Sequence, residues 1–346
     1  MPIQTAADSI SNSQGSPFGF KNRIINGAMV IDQRNAGASV TAGTGNPYTV
    51  DRWVSISSQN SKYTIQQNAG SVTPPEGFTY YLGITSSSAY TVDSAEQFLV
   101  RQQIEGYNIA DLNWGSANAK TVTLSFWVRS SLTGTFGGGL YNNNGSRSYP
   151  FSYTISTANT WEQKTVTIAG DTSGTWEKTN STGVSVGFGL GVGSTYSGTA
   201  GAWAGTYYAS ATGATSVVGT NGATFYITGV QLEKGTQATA FDYRDYGREL
   251  TLCYRYYINA NYATAGSTIG MTANVTNGSN YHFSFGFPVP MRTSPTMTWT
   301  EWASSSFATT SAFFQQTGFL GTNTYKSANG TGAGYFLGGY TASAEL

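Results

Sequence analysis

Asp242, Asp245 and Glu249 are the only tight acidic cluster in the chain, and a pair of carboxylates flanking one bond is what glycoside hydrolysis requires. Arg244 and Arg248 are interleaved with them, so an ion-paired linker accounts for the cluster better than catalysis does. His282 is the only histidine and lies in "YHFSF", an alternating stretch, with no nucleophile elbow anywhere in the chain. It reads as a strand histidine packed beside aromatics. Cys253, the only cysteine, sits in an aromatic helical context where a small buried hydrophobe is the commoner role. "GLGVGSTYSG" has glycines spaced as in a phosphate loop but neither the lysine nor the strand-to-helix setting that such a loop needs. No catalytic residue, metal ligand set or cofactor is expected, and the chain reads as a non-enzyme.

Binding chemistry has better candidates. "LYNNNGSRSY" places Tyr141, Asn142, Asn143 and Asn144 between two strands, and "AWAGTYY" places Trp203, Tyr207 and Tyr208 in a long glycine-rich loop. Aromatic faces stack on the C–H faces of sugar rings, and an asparagine amide donates to and accepts from hydroxyls at once. These seven residues are the candidate glycan site. The competing reading is that Asn-Gly marks a turn and that the aromatics cover the sandwich or a subunit interface.

Composition narrows the partners. Seventeen basic and seventeen acidic residues cancel, charged residues make up only 10% against 14% aromatic, and no basic block stands out, which argues against nucleic acid. A neutral, hydroxyl-rich and aromatic-rich surface suits uncharged sugars or close packing against other subunits. A single cysteine rules out an intrachain disulfide, and a single histidine removes imidazole clusters. The start, "MPIQTAADSISNSQGSPFGF", lacks a cationic segment followed by an apolar one, and no stretch has membrane-spanning length, so synthesis in the cytosol without membrane insertion is expected.

The elements that must carry these residues are mostly strands. In "TVTLSFWVRS", Val122, Leu124, Phe126 and Val128 fall on one face and Thr123, Ser125, Trp127 and Arg129 on the other. Similar runs occur at "YTVDRWVSI", "SKYTIQQ", "EQFLVRQQIE", "SYPFSYTI", "KTVTIAG", "GVSVGFGL" and "ATFYITGVQLE", separated by turn residues. The pattern predicts an all-β chain: an N-terminal arm over 1–20, an antiparallel jelly-roll β-sandwich over 21–244, a linking helix over 245–257 and a smaller β-domain over 258–346. The glycine-rich stretch from Gly189 to Gly222 is expected to form extended loops. In "NRIINGAMVIDQRNAG", Asn22 and Asn26 are expected to make turns, Ile24, Ile25, Val30 and Ile31 to enter the core, and Asp32, Gln33, Arg34 and Asn35 to hold the following loop by hydrogen bonds.

The same stretch, followed by "YTVDRWVS", "TLSFWVRSS", "WEQKTVTI", "FYITGVQLEKGTQATAFDYRDYGRELTLCYRYY", "FPVPMRTSPTMTW" and the terminal "SAEL", resembles in ordered sequence a family of tailed-bacteriophage and prophage tail fibre or minor tail proteins. The middle of the chain is also similar to jelly-roll carbohydrate-binding modules. What the resemblance implies is a non-catalytic virion protein, usually a homotrimer, docked on other virion proteins through its arm and attaching to host-surface polysaccharide. A purely structural role as capsid decoration, adaptor or baseplate protein is the alternative. A depolymerase fits less well, because no fixed-period repeat of a β-helix is present. The modules carry an acidic pair before the Val of their "FYITGVQLEKG"-like strand that helps hold calcium, whereas here Thr228 and Gly229 occupy those positions and leave Glu233 isolated.

Overall fold

Period-two alternation of apolar and polar residues sends successive side chains to opposite faces of a strand, and here it builds two sheets that bury their apolar faces against each other. The computed structural model describes residues 21–261, 269–308 and 313–346; the arm expected over 1–20 lies outside them. Among the described residues the strands run, in chain order, β1 (Val40–Thr41), β2 (Val54–Ser57), β3 (Tyr63–Gln67), β4 (Leu82–Ser86), β5 (Gln97–Glu105), β6 (Val122–Ser130) and β7 (Gly134–Tyr141). They continue as β8 (Ser148–Ile155), β9 (Glu162–Ile168), β10 (Thr182–Val192), β11 (Ser197–Gly198), β12 (Ser210–Ala211) and β13 (Thr224–Lys234). One antiparallel sheet has the order β1-β3-β4-β13-β6-β9 and the other β2-β5-β10-β7-β8. Among the described residues the chain is all-β, with these two sheets forming an antiparallel jelly-roll sandwich and one α-helix following it, as the patterning predicts.

The core between the sheets follows from that patterning. Val122, Leu124, Phe126 and Val128 of β6 are fully buried. Phe126 meets Tyr153 of β8 and Phe188 of β10 edge-on, each with ring centroids 5.0 Å apart. Burying a side chain of that size stabilises the fold by about 1.5–3 kcal/mol.

Two strands carry too few large side chains for alternation to mark them. β4, "LGITS", is short, and β7, "GTFGGGLY", carries consecutive glycines that ordinarily weaken a strand. The glycines of β7 answer to crowding: a Cβ on Gly139 would lie 2.8 Å from the Tyr208 carbonyl oxygen, and one on Gly138 would lie 2.4 Å from the Phe151 ring. The stretch from Gly189 to Gly222 also departs from the expectation of loops alone. Gly189–Val192 completes β10, and the chain then forms the short parallel pair β11–β12, with Ser210 of β12 lying against Gly137 and Gly189.

Two buried amides seat the segment that precedes β1. The Asn22 side chain donates to the Val230 carbonyl (3.2 Å) and accepts from the Leu232 N–H (3.1 Å), as a neighbouring strand would. Gln102 does the same for Ile25, accepting from its N–H at 2.8 Å and donating to its carbonyl at 2.7 Å. Ile24, Ile25 and Ile31 are buried, Val30 is half-buried, and Asn26 turns the chain at a φ of 57°.

Contacts divide the chain into two units. The first holds the described residues up to Val30, with Ser39–Pro47 and Val54–Tyr243; the second holds Ile31–Ala38, Tyr48–Trp53 and Arg244–Leu346. The Arg244–Leu346 part of the second unit holds α1 (Tyr246–Tyr254), β14 (Tyr257–Asn259), β15 (Ile269–Val275), β16 (Asn280–Gly286), β17 (Thr296–Ser305), β18 (Phe313–Gly318), β19 (Gly321–Ser327) and β20 (Gly332–Ser343). β20 pairs with β14, β15 and β17, while β16, β19 and β18 form a second sheet. Phe283 and Phe285 of β16 meet Phe336 and Tyr340 of β20 at 5.0 Å and 4.7 Å in the core of this unit.

The loop residues of the opening stretch serve this second unit. Asp32 accepts from the Asn35 and Gly37 N–H groups and so holds its own loop. Gln33 reaches further, donating to the Tyr257 carbonyl (2.9 Å) and accepting from the Asn259 N–H (3.1 Å). Arg34 lies 3.5 Å from the Tyr257 ring centroid and pairs with Glu345 at 3.0 Å. Arg52, almost wholly buried, pairs with the same Glu345 and stacks on Tyr256 at 3.6 Å.

Candidate functional site

Strand parity decides which side chains of the five-stranded sheet look outward. On β5, Phe98, Val100, Gln102 and Ile104 face the core, leaving Gln97, Leu99, Arg101 and Gln103 on the outer face. Ser185 of β10 sits between Gln103 of β5 and Tyr141 of β7 in register, so Tyr141 belongs to that outer face.

Tyr207 is brought onto this face by the segment between β11 and β12. Its ring meets Tyr141 edge-on with centroids 4.8 Å apart, and Tyr196 flanks it at 5.6 Å. Its hydroxyl donates to Gln97 Oε1 at 2.8 Å, while Arg101 Nη1 donates to the Tyr141 hydroxyl at 3.5 Å. Burial pushes the Tyr207 phenol well above its ordinary range, Tyr141 adding to the shift and Arg101 opposing it. The hydrogen bond to Gln97 and the flanking rings hold the phenol in place.

The turn joining β7 to β8 rests on Tyr207, since a Cβ on Gly145 would lie 3.2 Å from the Tyr207 Cβ. Within it Asn142 is buried: its amide donates to Ser146 Oγ (3.0 Å) and the Thr175 carbonyl (3.1 Å) and accepts from the Arg147 N–H (3.0 Å). Asn143 and Asn144 are exposed, with Asn144 Oδ1 accepting from the Ser146 N–H and hydroxyl. Thus Tyr207, Asn143 and Asn144 gather at one place, whereas Tyr141 is only 4% exposed and supports the Tyr207 ring from within, and Asn142 is the turn's internal brace.

Trp203 and Tyr208 go elsewhere. Trp203 is half-buried against Trp114, Trp176 and Tyr149, with centroids 5.4, 5.4 and 5.2 Å away, and its indole N–H donates to the Ala169 carbonyl at 2.7 Å. The Tyr208 ring covers Gly198, and its N–H donates to Ser148 Oγ at 3.0 Å. Gln97, Arg101, Gln103 and Tyr196 were not singled out in the sequence. The first three could have been found from "EQFLVRQQIE", whose alternation puts them on one side of a strand.

The residues weighed for catalysis are occupied. Asp245 caps α1, accepting from the Arg248 N–H at 3.0 Å, and Glu249 pairs with Arg244 at 3.3 Å. Asp242 Oδ2 accepts from the Asn22 N–H at 3.4 Å. Cys253 is buried, and burial foremost, then Asp51 and Glu249, pushes its thiol well up. His282 lies on the exposed face of β16 beside Tyr325, 5.4 Å between ring centroids. Glu233 is buried and accepts from Gln231 Nε2 and from the Thr239 N–H and hydroxyl. Among the described residues no group of three or more His, Cys, Asp or Glu is placed to hold a metal ion.

The arrangement can present an immobile phenol ring beside two exposed amides, a combination that stacks on a sugar ring and bonds its hydroxyls. No family model and no curated protein matches the chain. Solved structures that resemble it include the enzymatically active domain of bacteriophage CBA120 tailspike protein 4, at 11% identity and a TM-score of 0.33 over 62% of this chain. The chain spans 21% of that tailspike chain's length. A family 11 carbohydrate-binding module from Clostridium thermocellum, in complex with a mixed-linked tetrasaccharide, is similar at 10% identity and a TM-score of 0.29, covering 59% of this chain and 100% of the module. TmCBM61, in complex with β-1,4-galactotriose, is similar at 10% identity and a TM-score of 0.31, covering 62% and 99% of the two chains.

Proposed function

We propose that the protein is a non-catalytic virion component, a tail fibre protein of a tailed bacteriophage, whose sandwich attaches to host-surface glycan through the Tyr141–Tyr207 face. The glycan reading is carried by Tyr207, half-buried and fixed through its hydroxyl to Gln97, with the exposed amides of Asn143 and Asn144 on the turn that rests on it. Such a site binds weakly alone, and a trimer presenting three copies would gain by avidity. The particle assignment rests on the ordered motifs from "NRIINGAMVIDQRNAG" to "SAEL", with the arm over 1–20 as the segment that docks on other virion proteins.

Binding of the purified protein to intact host cells and to their lipopolysaccharide tests the reading. Tyr207→Ala is expected to weaken binding about tenfold and Asn144→Ala less, in line with the value of one stacking ring. Absence of binding by the assembled protein would sink it. A second reading, a capsid-decoration, adaptor or baseplate protein that never meets the host, is favoured by one observation: Asn142, Trp203 and Tyr208 are all engaged in internal contacts.

A further inference from the structure

We infer that the outer face of the six-stranded sheet carries a second sugar contact, formed by Phe78, Trp127, Phe241 and Tyr243 and suited to an uncharged pyranose. The inference rests on the proposed glycan-binding role but uses a different sheet and different residues. Trp127 of β6 points away from the core that holds Phe126 and Val128, and in register it lies opposite Thr228 of β13 and Gln163 of β9. Directly after Thr228 the pairing slips by a bulge, where Gly229 adopts a φ of 61°. A Cβ at Gly229 would lie 2.6 Å from Phe78 Cζ and 3.1 Å from Trp127 Cδ1, so both rings sit directly on bare backbone.

The platform is completed by two more rings. Phe78 meets Phe241 and Tyr243 at centroid distances of 5.1 and 5.4 Å, and Phe241 meets Tyr243 at 4.8 Å. Tyr243 is nonetheless 57% exposed, although its hydroxyl is packed so closely over Gly77 that a Cβ there would lie 2.7 Å away. A ring that is fixed and still open is what stacking on a sugar face needs, because little side-chain entropy is then lost on binding.

The rim sets the class of sugar. Gln163 and Thr165 are exposed on β9 beside Trp127, offering an amide and a hydroxyl. Lys164, the cation of that strand, is paired with Glu162 at 2.5 Å, and Glu76 is exposed next to Gly77. The exposed amide and hydroxyl favour a neutral sugar, and Arg129 on the Trp127 face of β6 and Lys21, which donates to the Ala240 carbonyl beside Phe241, stand against Glu76 in the charge of the rim.

Affinity electrophoresis of the full chain through gels containing dextran or galactomannan, both neutral, or polygalacturonate, which is acidic, tests this. Retardation is expected in at least one neutral gel and not in the acidic gel. Tyr243→Ala should weaken apparent affinity about fivefold, with Tyr243→Phe retaining most of it and thermal unfolding confirming that both variants fold. Free migration of the parent chain in both neutral gels, stronger retardation in polygalacturonate, or a Tyr243→Ala chain that runs like its parent would each overturn the inference. Tyr207→Ala in the same gels reports on the five-stranded face separately, so either face can fail while the other stands.

Discussion

Asn22, Gln102 and Gln33 are amides that stand in for a missing strand, each giving one donor and one acceptor to a stretch of backbone. Gln102→Leu keeps the bulk of the side chain but leaves the Ile25 N–H and carbonyl buried without their partner, and a loss of about 2–3 kcal/mol in denaturant unfolding with an unchanged m-value is expected. Arg23, nearly wholly buried, grips Asp111 with two hydrogen bonds of 2.8 and 2.9 Å. Partial burial opposes the charged form of Asp111, but the hydrogen bonds and charge of Arg23, with Lys234 behind them, hold its carboxyl below the usual carboxylate range. A depressed folded pKa means that this contribution is present above the ordinary carboxylate value and is lost as pH falls through it towards the folded one. Stability measured from about pH 6 to pH 2 should therefore fall less steeply in Asp111→Asn than in the parent chain. The sequence showed the residue types of the candidate site but not which were already engaged: Asn142 and Asn143 are adjacent and alike, yet one braces the turn and the other is open.

At the scale of elements, alternation made the apolar strands legible, and β6 is the clearest case. It failed where neighbouring chain, rather than a core face, chose the residue. Gly139 is the instructive position: its partner is the Tyr208–Ala209 backbone crossing the outer face, a contact about seventy residues away that no local pattern encodes. Gly139→Ala would place a methyl 2.8 Å from the Tyr208 carbonyl oxygen, so the crossing segment must shift. A cost of about 1–3 kcal/mol in thermal unfolding is expected. Because that segment also carries Tyr207, glycan binding should weaken in the same variant, whereas an overpacked position away from the face would lower stability alone.

For the molecule as a whole, the decisive feature is that the second unit is discontinuous in sequence. A run from 21 to 244 reads locally as one uninterrupted set of strands and turns, yet Ile31–Ala38 and Tyr48–Trp53 are grouped with Arg244–Leu346. The reason is electrostatic as well as apolar. Glu345 is largely buried and takes both Arg34 and Arg52 as partners, the two guanidinium groups stack on Tyr257 and Tyr256, and Asp51 faces Arg34 at 3.7 Å. A buried carboxylate stripped of its cations is strongly destabilising, typically by about 3–5 kcal/mol. A fragment spanning Arg244–Leu346 carries Glu345, Tyr256 and Tyr257 but neither Arg34 nor Arg52. It is expected to show no cooperative unfolding transition by calorimetry, while Arg52→Met in the full chain should lower the transition of this unit and leave that of the sandwich nearly unchanged. A fragment that unfolds cooperatively, at the temperature this unit shows in the full chain, would mean that the apolar contacts of β16 and β20 suffice and that the two N-terminal segments add nothing to its stability.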